Sequence, residues 1–170
     1  FLLDSEVAAI KDLFLAPKRP VLAVVGGAKI TGKIDLLDSL LDFVDVLAVV
    51  GGMANTFLKA KSYNIGKSLC ENDKVSLAKK LSDRAASKGV VLYLPHDFIV
   101  ANPDNNIDSI EKNKNEIIDG DIIYDVGSGT CLALEEIIKN SSTVIWNGPL
   151  GMFENRLYSK GSLFFAKTLA

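Results

Sequence analysis

The sequence is poor in the residues that build disulfide scaffolds and metal centres. It has two cysteines, Cys70 and Cys131, and one histidine among 170 residues. The cysteines are far apart, form no CxxC pair, and belong to no spaced cluster of His, Cys and carboxylates. We therefore expect ordinary thiols in a reducing compartment, which favours a cytoplasmic location, and no metal ion held by the protein itself.

An excess of charge of one sign and long apolar runs are lacking as well. The chain has 19 Lys and Arg against 21 Asp and Glu, a formal net charge of −2. So balanced a chain is a poor general binder of nucleic acid. No apolar run approaches the roughly 18 residues of a membrane span, and residues 1–6 carry no signal-peptide core. We expect neither a nucleic-acid partner nor a membrane partner.

What the sequence does have is glycine at the ends of apolar runs. Continuous apolar runs at 21–25, 46–50, 90–94 and 143–146 are typical of strands buried on both faces of a parallel sheet. They alternate with helical periodicity, which predicts an α/β domain with five or six strands. The polar stretch 102–121 is predicted to be a turn followed by exposed, edge-like structure, and 122–126 to return to a strand.

Four predicted strands end in glycine-rich or special loops, at residues 26–29, 51–54, 125–130 and 146–151. Ligands of parallel sheets bind beyond the carboxyl ends of the strands, so four such loops on one sheet edge predict a binding crevice. Glycine lets a backbone approach a ligand closely. A helix that follows such a loop offers free amides to an anion.

The first of these loops also carries positive charge. Lys29 and Lys33 are four residues apart, so a helix that begins near Thr31 turns both ammonium groups toward the same crevice. Two cations beside a glycine turn suit a polyphosphate. A pair of solvated surface lysines is the alternative, and the loop is not a Walker A motif.

The third loop, extended to residues 125–131, favours a different enzyme class. Its sequence resembles the glycine motif of S-adenosylmethionine-dependent methyltransferases, although Cys131 stands where the third glycine is expected. The strand that follows ends in Asn147 rather than in the acid that would hold ribose hydroxyls. Asn147 is itself a candidate ligand-binding residue, because a polar amide at a strand exit has to find partners.

Five segments in order carry a resemblance to one family. They are Gly26-Gly27-Ala28-Lys29 with Lys33, Gly51-Gly52-Met53-Ala54, Ile65-Gly66-Lys67-Ser68-Leu69, Leu94-Pro95, and Trp146-Asn147-Gly148-Pro149-Leu150-Gly151-Met152-Phe153-Glu154. Over essentially its whole length the chain closely resembles the nucleotide-binding C-terminal domain of the phosphoglycerate kinase family. The departures from the family pattern, Gly32, Val50, Tyr124 and Ser128, concern the shape of the pocket rather than family membership.

The resemblance implies a Rossmann-like open, mostly parallel sheet between two layers of helices, a three-layer αβα fold. Residues 1–16 would form the interdomain helix, and residues 17–170 the nucleotide-binding C-terminal domain, incomplete at its C-terminus. Since the chain also starts without Met, we expect a fragment truncated at both ends relative to the two-domain enzyme. The N-terminal domain, which would bind 3-phosphoglycerate and 1,3-bisphosphoglycerate, is expected to lie outside the chain.

The resemblance further implies an activity. The family is a phosphotransferase of glycolysis with a carboxyl group as acceptor, and it interconverts ATP plus 3-phosphoglycerate with ADP plus 1,3-bisphosphoglycerate. Mg²⁺ would be bound through the nucleotide, because the family's metal-binding loop is missing from the chain. We expect a cytoplasmic monomer without turnover of its own. A non-catalytic adenine-nucleotide-binding module is the alternative, beside the methyltransferase-like domain.

The resemblance also assigns roles to residues. The adenine pocket would be formed by Gly27, Ala28, Gly51, Gly52 and Leu69, with Tyr124 at its wall. Lys33 would bind nucleotide phosphates, and Lys29 would be the catalytic residue that stabilises the phosphoryl group in transfer. The phosphate region would be lined by Asn147, Gly148 and Pro149. Glu154 would accept hydrogen bonds from the ribose hydroxyls.

Overall fold

The structure is a computed structural model that describes residues 17–170 of the chain. The interdomain helix predicted for residues 1–16 lies outside the described residues. Residues 17–20 lead into the first strand.

A four-stranded parallel sheet forms the centre of the fold. Its strands are β1 (Val21–Val25), β2 (Val46–Val49), β3 (Val91–Tyr93) and β7 (Thr143–Asn147), in the order β3-β2-β1-β7. Every residue of β1 is at most 1 % exposed, and its side chains alternate between two apolar cores. A strand buried on both faces is what the continuous apolar run predicted.

Helices cover both faces of this sheet. They are α1 (Ile34–Leu40), α2 (Gly52–Ala60), α3 (Val75–Ser87), α4 (Ser128–Lys139) and α5 (Lys160–Leu169). Apolar side chains of α1, α2 and α3 form one core, whereas those of α4 and α5 form the other. The prediction of a parallel sheet between two helical layers is therefore confirmed.

A second sheet was not predicted. Strands β4 (Asp97–Asn102), β5 (Ile107–Asn113) and β6 (Ile122–Val126) pair antiparallel in the order β5-β4-β6, which brings the described residues to seven strands rather than five or six. Strand β5 is mostly exposed, as expected for an edge. The loop that follows β6 therefore leaves the antiparallel sheet, so the expectation of four loops on one parallel edge was wrong for residues 125–130.

A buried carboxylate holds this second sheet together. Asp121 is fully buried and accepts hydrogen bonds from Asn102 Nδ2 at 2.8 Å, Lys112 Nζ at 2.8 Å and the Ile118 amide at 3.0 Å. Burial by itself would raise the pKa of Asp121, but these donors outweigh it and the pKa lies below its ordinary value. The charged carboxylate is thus part of the folded structure at neutral pH.

The two thiols differ in their surroundings. Cys131 is buried on α4, and burial raises the pKa of its thiol to about 12, whereas Cys70 is half-buried in a loop. Within residues 17–170, no group of three or more His, Cys, Asp and Glu side chains could hold a metal ion. No helix in that range is both long enough and apolar enough to cross a membrane.

Candidate functional site

The loops after β1, β2 and β7 interlock through their backbones. The Gly26 amide donates to the Asn147 carbonyl at 2.8 Å, and the Met53 amide donates to the Gly27 carbonyl at 3.0 Å. A Cβ atom on Gly26 would lie 2.0 Å from the carbonyl oxygen of Pro149. Glycine is required at Gly26 because the neighbouring backbone leaves no room for a side chain.

A cavity of about 560 Å³ opens beside these loops. Its volume falls within the ~300–1,000 Å³ of small-molecule sites. Its lining comes from β6 of the second sheet, from the loops after β1, β2 and β7, and from residues 67 and 69. It is formed by Gly27, Ala28, Gly51, Gly52, Lys67, Leu69, Ile122, Ile123, Tyr124, Pro149, Gly151, Met152 and Glu154.

Most of the residues that the sequence singled out come together here. Eight of them line the cavity, namely Gly27, Ala28, Gly51, Gly52, Leu69, Tyr124, Pro149 and Glu154. Lys33, Asn147 and Gly148 lie at the glycine loops beside it, and Lys29 lies outside its lining. The structure thus brings these residues together, while their binding roles stay predictions.

Lys33 is held at the point where the loops after β1 and β7 meet. Its ammonium donates to Gly26 O at 2.5 Å and to Asn147 Oδ1 at 2.7 Å. Gly148 has a φ of +81°, and a Cβ there would lie 2.8 Å from Lys33 Nζ. Partial burial lowers the pKa of Lys33. Asn147 thus does find a polar partner, and that partner is a cation.

Lys29 differs from Lys33 in its environment. It is exposed in the same loop, and its ammonium forms no hydrogen bond or ion pair with any other residue in the described range 17–170. A cation with no internal partner is available to an incoming anion.

The opposite side of the cavity is apolar and aromatic. Leu69 is 48 % exposed and Met152 is 42 % exposed, although both are large apolar side chains. Tyr124 is fixed by stacking on Tyr158, with ring centroids 4.5 Å apart and an interplanar angle of 21°. Tyr158 is held in turn by its hydroxyl, which donates to the Asp108 carbonyl at 2.6 Å. A flat apolar group is the natural occupant of such a wall.

The segment that carries Leu69 is anchored to the second sheet. The Lys67 amide donates to the Asp121 carbonyl at 2.7 Å, and the Ile123 amide donates to Ser68 Oγ at 2.8 Å. Gly66 has a φ of +56°, and a Cβ there would lie 2.2 Å from the Asp121 carbonyl oxygen. Because of this close docking, Leu69 is held on one side of the cavity.

Sequence reasoning missed five of the lining residues, Lys67, Ile122, Ile123, Gly151 and Met152. Lys67, Gly151 and Met152 fall inside strings that the sequence singled out, so proximity to those strings could have found them. Ile122 and Ile123 gave no such signal, because they belong to β6 of the sheet that was not predicted.

The expectation that helix amides are free for an anion was wrong at two of the glycine loops. After β1, the amides of Ile30 and Thr31 donate to the carboxylate of Glu71. After β6, the amides of Gly129 and Thr130 donate to the Asp97 carboxylate, each at 2.7 Å. Internal carboxylates satisfy these amides, so at the loop after β1 the positive charge available to an anion is that of Lys29 and Lys33.

A model of the phosphoglycerate kinase family matches residues 1–170. The phosphoglycerate kinase of Coxiella burnetii is 44 % identical over 170 residues, which cover 99 % of this chain and 44 % of that protein. The phosphoglycerate kinase of Clostridium perfringens is 41 % identical, over 100 % of this chain and 43 % of that protein. The chain thus spans less than half the length of the curated relatives it matches.

Solved structures agree with the sequence comparison. The structure of phosphoglycerate kinase from Coxiella burnetii has a TM-score of 0.93 and 43 % identity, over 99 % of this chain and 44 % of that chain. That of phosphoglycerate kinase from Pyrococcus horikoshii, with 24 % identity and a TM-score of 0.85, shares the fold. Neither the methyltransferase-like alternative nor the non-catalytic module is supported by these matches. The chain belongs to the phosphoglycerate kinase family.

Proposed function

We propose that this chain supplies the nucleotide-binding half of a phosphoglycerate kinase, which reversibly transfers a phosphoryl group between 1,3-bisphosphoglycerate and Mg-ADP. The chain covers 44 % of its Coxiella burnetii relative, so the phosphoglycerate-binding part would come from the rest of the protein. The observation that carries the proposal is the glycine-lined cavity, which has an apolar wall and is lined in part by the loop that also carries Lys29 and Lys33.

The glycine-lined side of the cavity suits adenine. Gly27 and Gly51 have φ values of +121° and +68°, and a Cβ on Gly51 would lie 2.8 Å from the Gly27 amide nitrogen. Backbone without side chains lets a flat base approach closely. Leu69 and Tyr124 would cover the other side of the base, and Glu154, exposed at the rim, would accept hydrogen bonds from the ribose hydroxyls.

The two lysines suit the phosphates. Lys33 is already oriented by Gly26 and Asn147, so it would contact the nucleotide phosphates at a fixed point beside Gly148 and Pro149. An anion next to Lys33 would oppose the lowering of its pKa by burial. Lys29 has no hydrogen-bonding or ion-pair partner within residues 17–170 and would stabilise the phosphoryl group during transfer. Phosphoryl transfer needs chiefly positioning and charge stabilisation, so no protein nucleophile is required.

The described residues do not fit a directly bound Mg²⁺. Glu154 is the one carboxylate among the residues that line the cavity, and it lies at the ribose position of the proposal. Mg²⁺ prefers several oxygen ligands, whereas the phosphate end offers ammonium groups. We therefore assign the metal to the nucleotide and derive no step from it.

Calorimetric titration of the chain with Mg-ADP tests the binding part of the proposal. We expect saturable heat with a Kd below roughly 1 mM, lost on Lys33→Met and weakened on Glu154→Gln. Lys139→Met is the matched control, because Lys139 is an exposed lysine that pairs with Glu135 on α4. Absence of heat up to millimolar nucleotide contradicts nucleotide binding.

A coupled assay of ATP formation from 1,3-bisphosphoglycerate tests the activity in a full-length protein that carries this sequence. We expect turnover there and none from the 170-residue chain alone. Turnover by the chain alone would show that the rest of the protein is dispensable. A full-length protein that binds Mg-ADP but forms no ATP would leave a nucleotide-binding module in place of a kinase.

A further inference from the structure

Glu71 connects the two ends of the candidate site. It follows Leu69 by two residues, and its carboxylate reaches the loop that carries Lys29 and Lys33. Its Oε2 accepts hydrogen bonds from the amides of Ile30 and Thr31, the latter at 3.2 Å, and its Oε1 accepts one from Thr31 Oγ1 at 2.5 Å. Three donors on two consecutive residues fix both the position and the direction of that loop.

The backbone of Glu71 is fixed as well. The Glu71 amide donates to Thr56 Oγ1 at 3.2 Å, and Asn55 Nδ2 donates to the Leu69 carbonyl at 3.1 Å. Asn55 and Thr56 are adjacent on α2 and are at most 1 % exposed. The segment from Leu69 to Glu71 is therefore held by two buried residues of α2, and the Glu71 side chain extends from this fixed segment to the loop after β1.

A carboxylate beside a phosphate site is unfavourable for binding unless its charge is compensated, because it would repel the anionic ligand. Here the carboxylate is engaged by donors. Partial burial alone would raise the pKa of Glu71, but the bonds from Thr31 and Ile30 outweigh it and hold the pKa below its ordinary value. The charge thus satisfies amides that would otherwise be open at the start of a helical segment.

We propose that Glu71 is a positioning residue for phosphoryl transfer, which holds the loop of Lys29 and Lys33 in register with the base-binding wall at Leu69. This inference rests on the proposed function. A single bridge of this kind would keep the distance between base and transferring phosphate constant. Misplacement of a reacting group by about 1 Å can cost up to ~100-fold in rate.

The test compares three Glu71 variants in the full-length protein. Glu71→Ala removes every contact of the carboxylate. Glu71→Asp keeps the charge and shortens its reach by one methylene. Glu71→Gln keeps the shape, since its amide oxygen can accept from both backbone amides and its NH₂ can donate to Thr31 Oγ1. Asp73→Asn is the matched control, because Asp73 is an exposed carboxylate two residues away that pairs with Lys74.

We expect Glu71→Ala to lower kcat about 10-fold and to raise KM for Mg-nucleotide about 5-fold. KM for phosphoglycerate should change less than about 2-fold, because that substrate binds elsewhere in the protein. Glu71→Gln should recover to within about 3-fold of the parent, and Asp73→Asn should match it. If Glu71→Ala does not fold, Glu71→Asp takes its place, with about 5-fold loss of kcat expected.

A double-mutant cycle with Lys29→Ala distinguishes a positioning role of Glu71 from a purely structural one. If Glu71 acts through the loop of Lys29, its removal should cost less than about 2-fold in kcat in the Lys29→Ala background. A cost of the full 10-fold in both backgrounds, or an unchanged KM for nucleotide, overturns the inference. If the parent protein has normal turnover and Glu71→Ala has no effect, this inference alone is overturned. If the parent protein has no turnover, the proposed function is overturned together with this inference.

Discussion

The glycine junction at residues 26–33, after β1, and the one at residues 127–131, after β6, each lead from a strand into a helical segment. We call them the first and the second junction. Both have amides capped by carboxylates, Glu71 in the first and Asp97 with Glu111 in the second. The first also carries Lys29 and Lys33 and lines the cavity through Gly27 and Ala28, whereas residues 127–131 contain no lysine or arginine. Glycine makes the backbone of a loop accessible, but the side chains around that loop determine whether its amides and charges are available to a ligand.

Removal of Lys29 should have the largest effect, because it takes the free cation from the first junction. In a full-length protein, Lys29→Ala is expected to lower kcat about 1000-fold, or about 4 kcal/mol of transition-state stabilisation. Nucleotide affinity should change less than about 3-fold. Steady-state kinetics with calorimetry checks the split. An unchanged kcat would remove Lys29 from the transition state and make the two junctions equivalent.

Gly26→Ala breaks the packing of the first junction. The new Cβ would lie 2.0 Å from the Pro149 carbonyl oxygen, so the loops after β1 and β7 must separate. We expect a loss of about 3 kcal/mol in the free energy of unfolding, measured by urea denaturation. Gly32→Ala is the control in the same junction, because a Cβ there meets nothing within 4 Å, and it should change stability by at most ~1 kcal/mol. Equal effects of the two substitutions would contradict the interlock.

Asp97→Ala uncaps the second junction. It removes hydrogen bonds from the Gly129 and Thr130 amides and leaves buried donors without partners. A loss of about 2 kcal/mol in unfolding free energy is expected, with no change in the Kd for Mg-ADP. Glu111→Ala, which removes an exposed acceptor of Ser128, should cost less than ~1 kcal/mol. A weakened nucleotide affinity after Asp97→Ala would show that the second junction takes part in binding.

The smallest expected effect is a pH dependence from Asp125, which lies in β6 two residues before the second junction. Burial raises the pKa of Asp125 to about 6, while the Gly161 and Val126 amides partly oppose the shift. Since the folded pKa is raised, this carboxyl contributes stability that is present below its unfolded pKa and lost as pH rises through about 6. Relative to Asp125→Asn, the parent should therefore gain about 1 kcal/mol in unfolding free energy between pH 7 and pH 5. A flat difference would mean that Asp125 is charged without penalty.

Local sequence pattern predicted the parallel sheet because its strands are continuous apolar runs. The same pattern could not predict β4, which begins and ends with buried polar residues, Asp97 and Asn102. Their partners, Thr130 and Asp121, lie 33 and 19 residues away along the chain. A polar side chain can be buried at low cost only when it has hydrogen-bonding partners. Since these partners are distant in sequence, the residues of β4 alone do not indicate that Asp97 and Asn102 are buried.

The candidate site divides along the same line. Residues within glycine strings, such as Gly27 and Pro149, could be found because the strings themselves are distinctive. The carboxylate that accepts hydrogen bonds from the loop amides could not be found in this way. Glu71 lies 40 residues from Thr31, and nothing local to either residue indicates the pairing. Long-range capping by Glu71 therefore removes the Ile30 and Thr31 amides from the expected anion site, which leaves the two lysines that the sequence also predicted there.

The contrast between the two thiols has a practical consequence for spectroscopy. Burial disfavours the thiolate of Cys131, the species that reacts with alkylating dyes. Cys70 is half-buried and lies between Leu69, which lines the cavity, and Glu71, whose carboxylate accepts from the Ile30 and Thr31 amides. An environment-sensitive fluorophore attached at Cys70 would thus occupy a natural reporter position, where ligand arrival and loop movement both alter its emission.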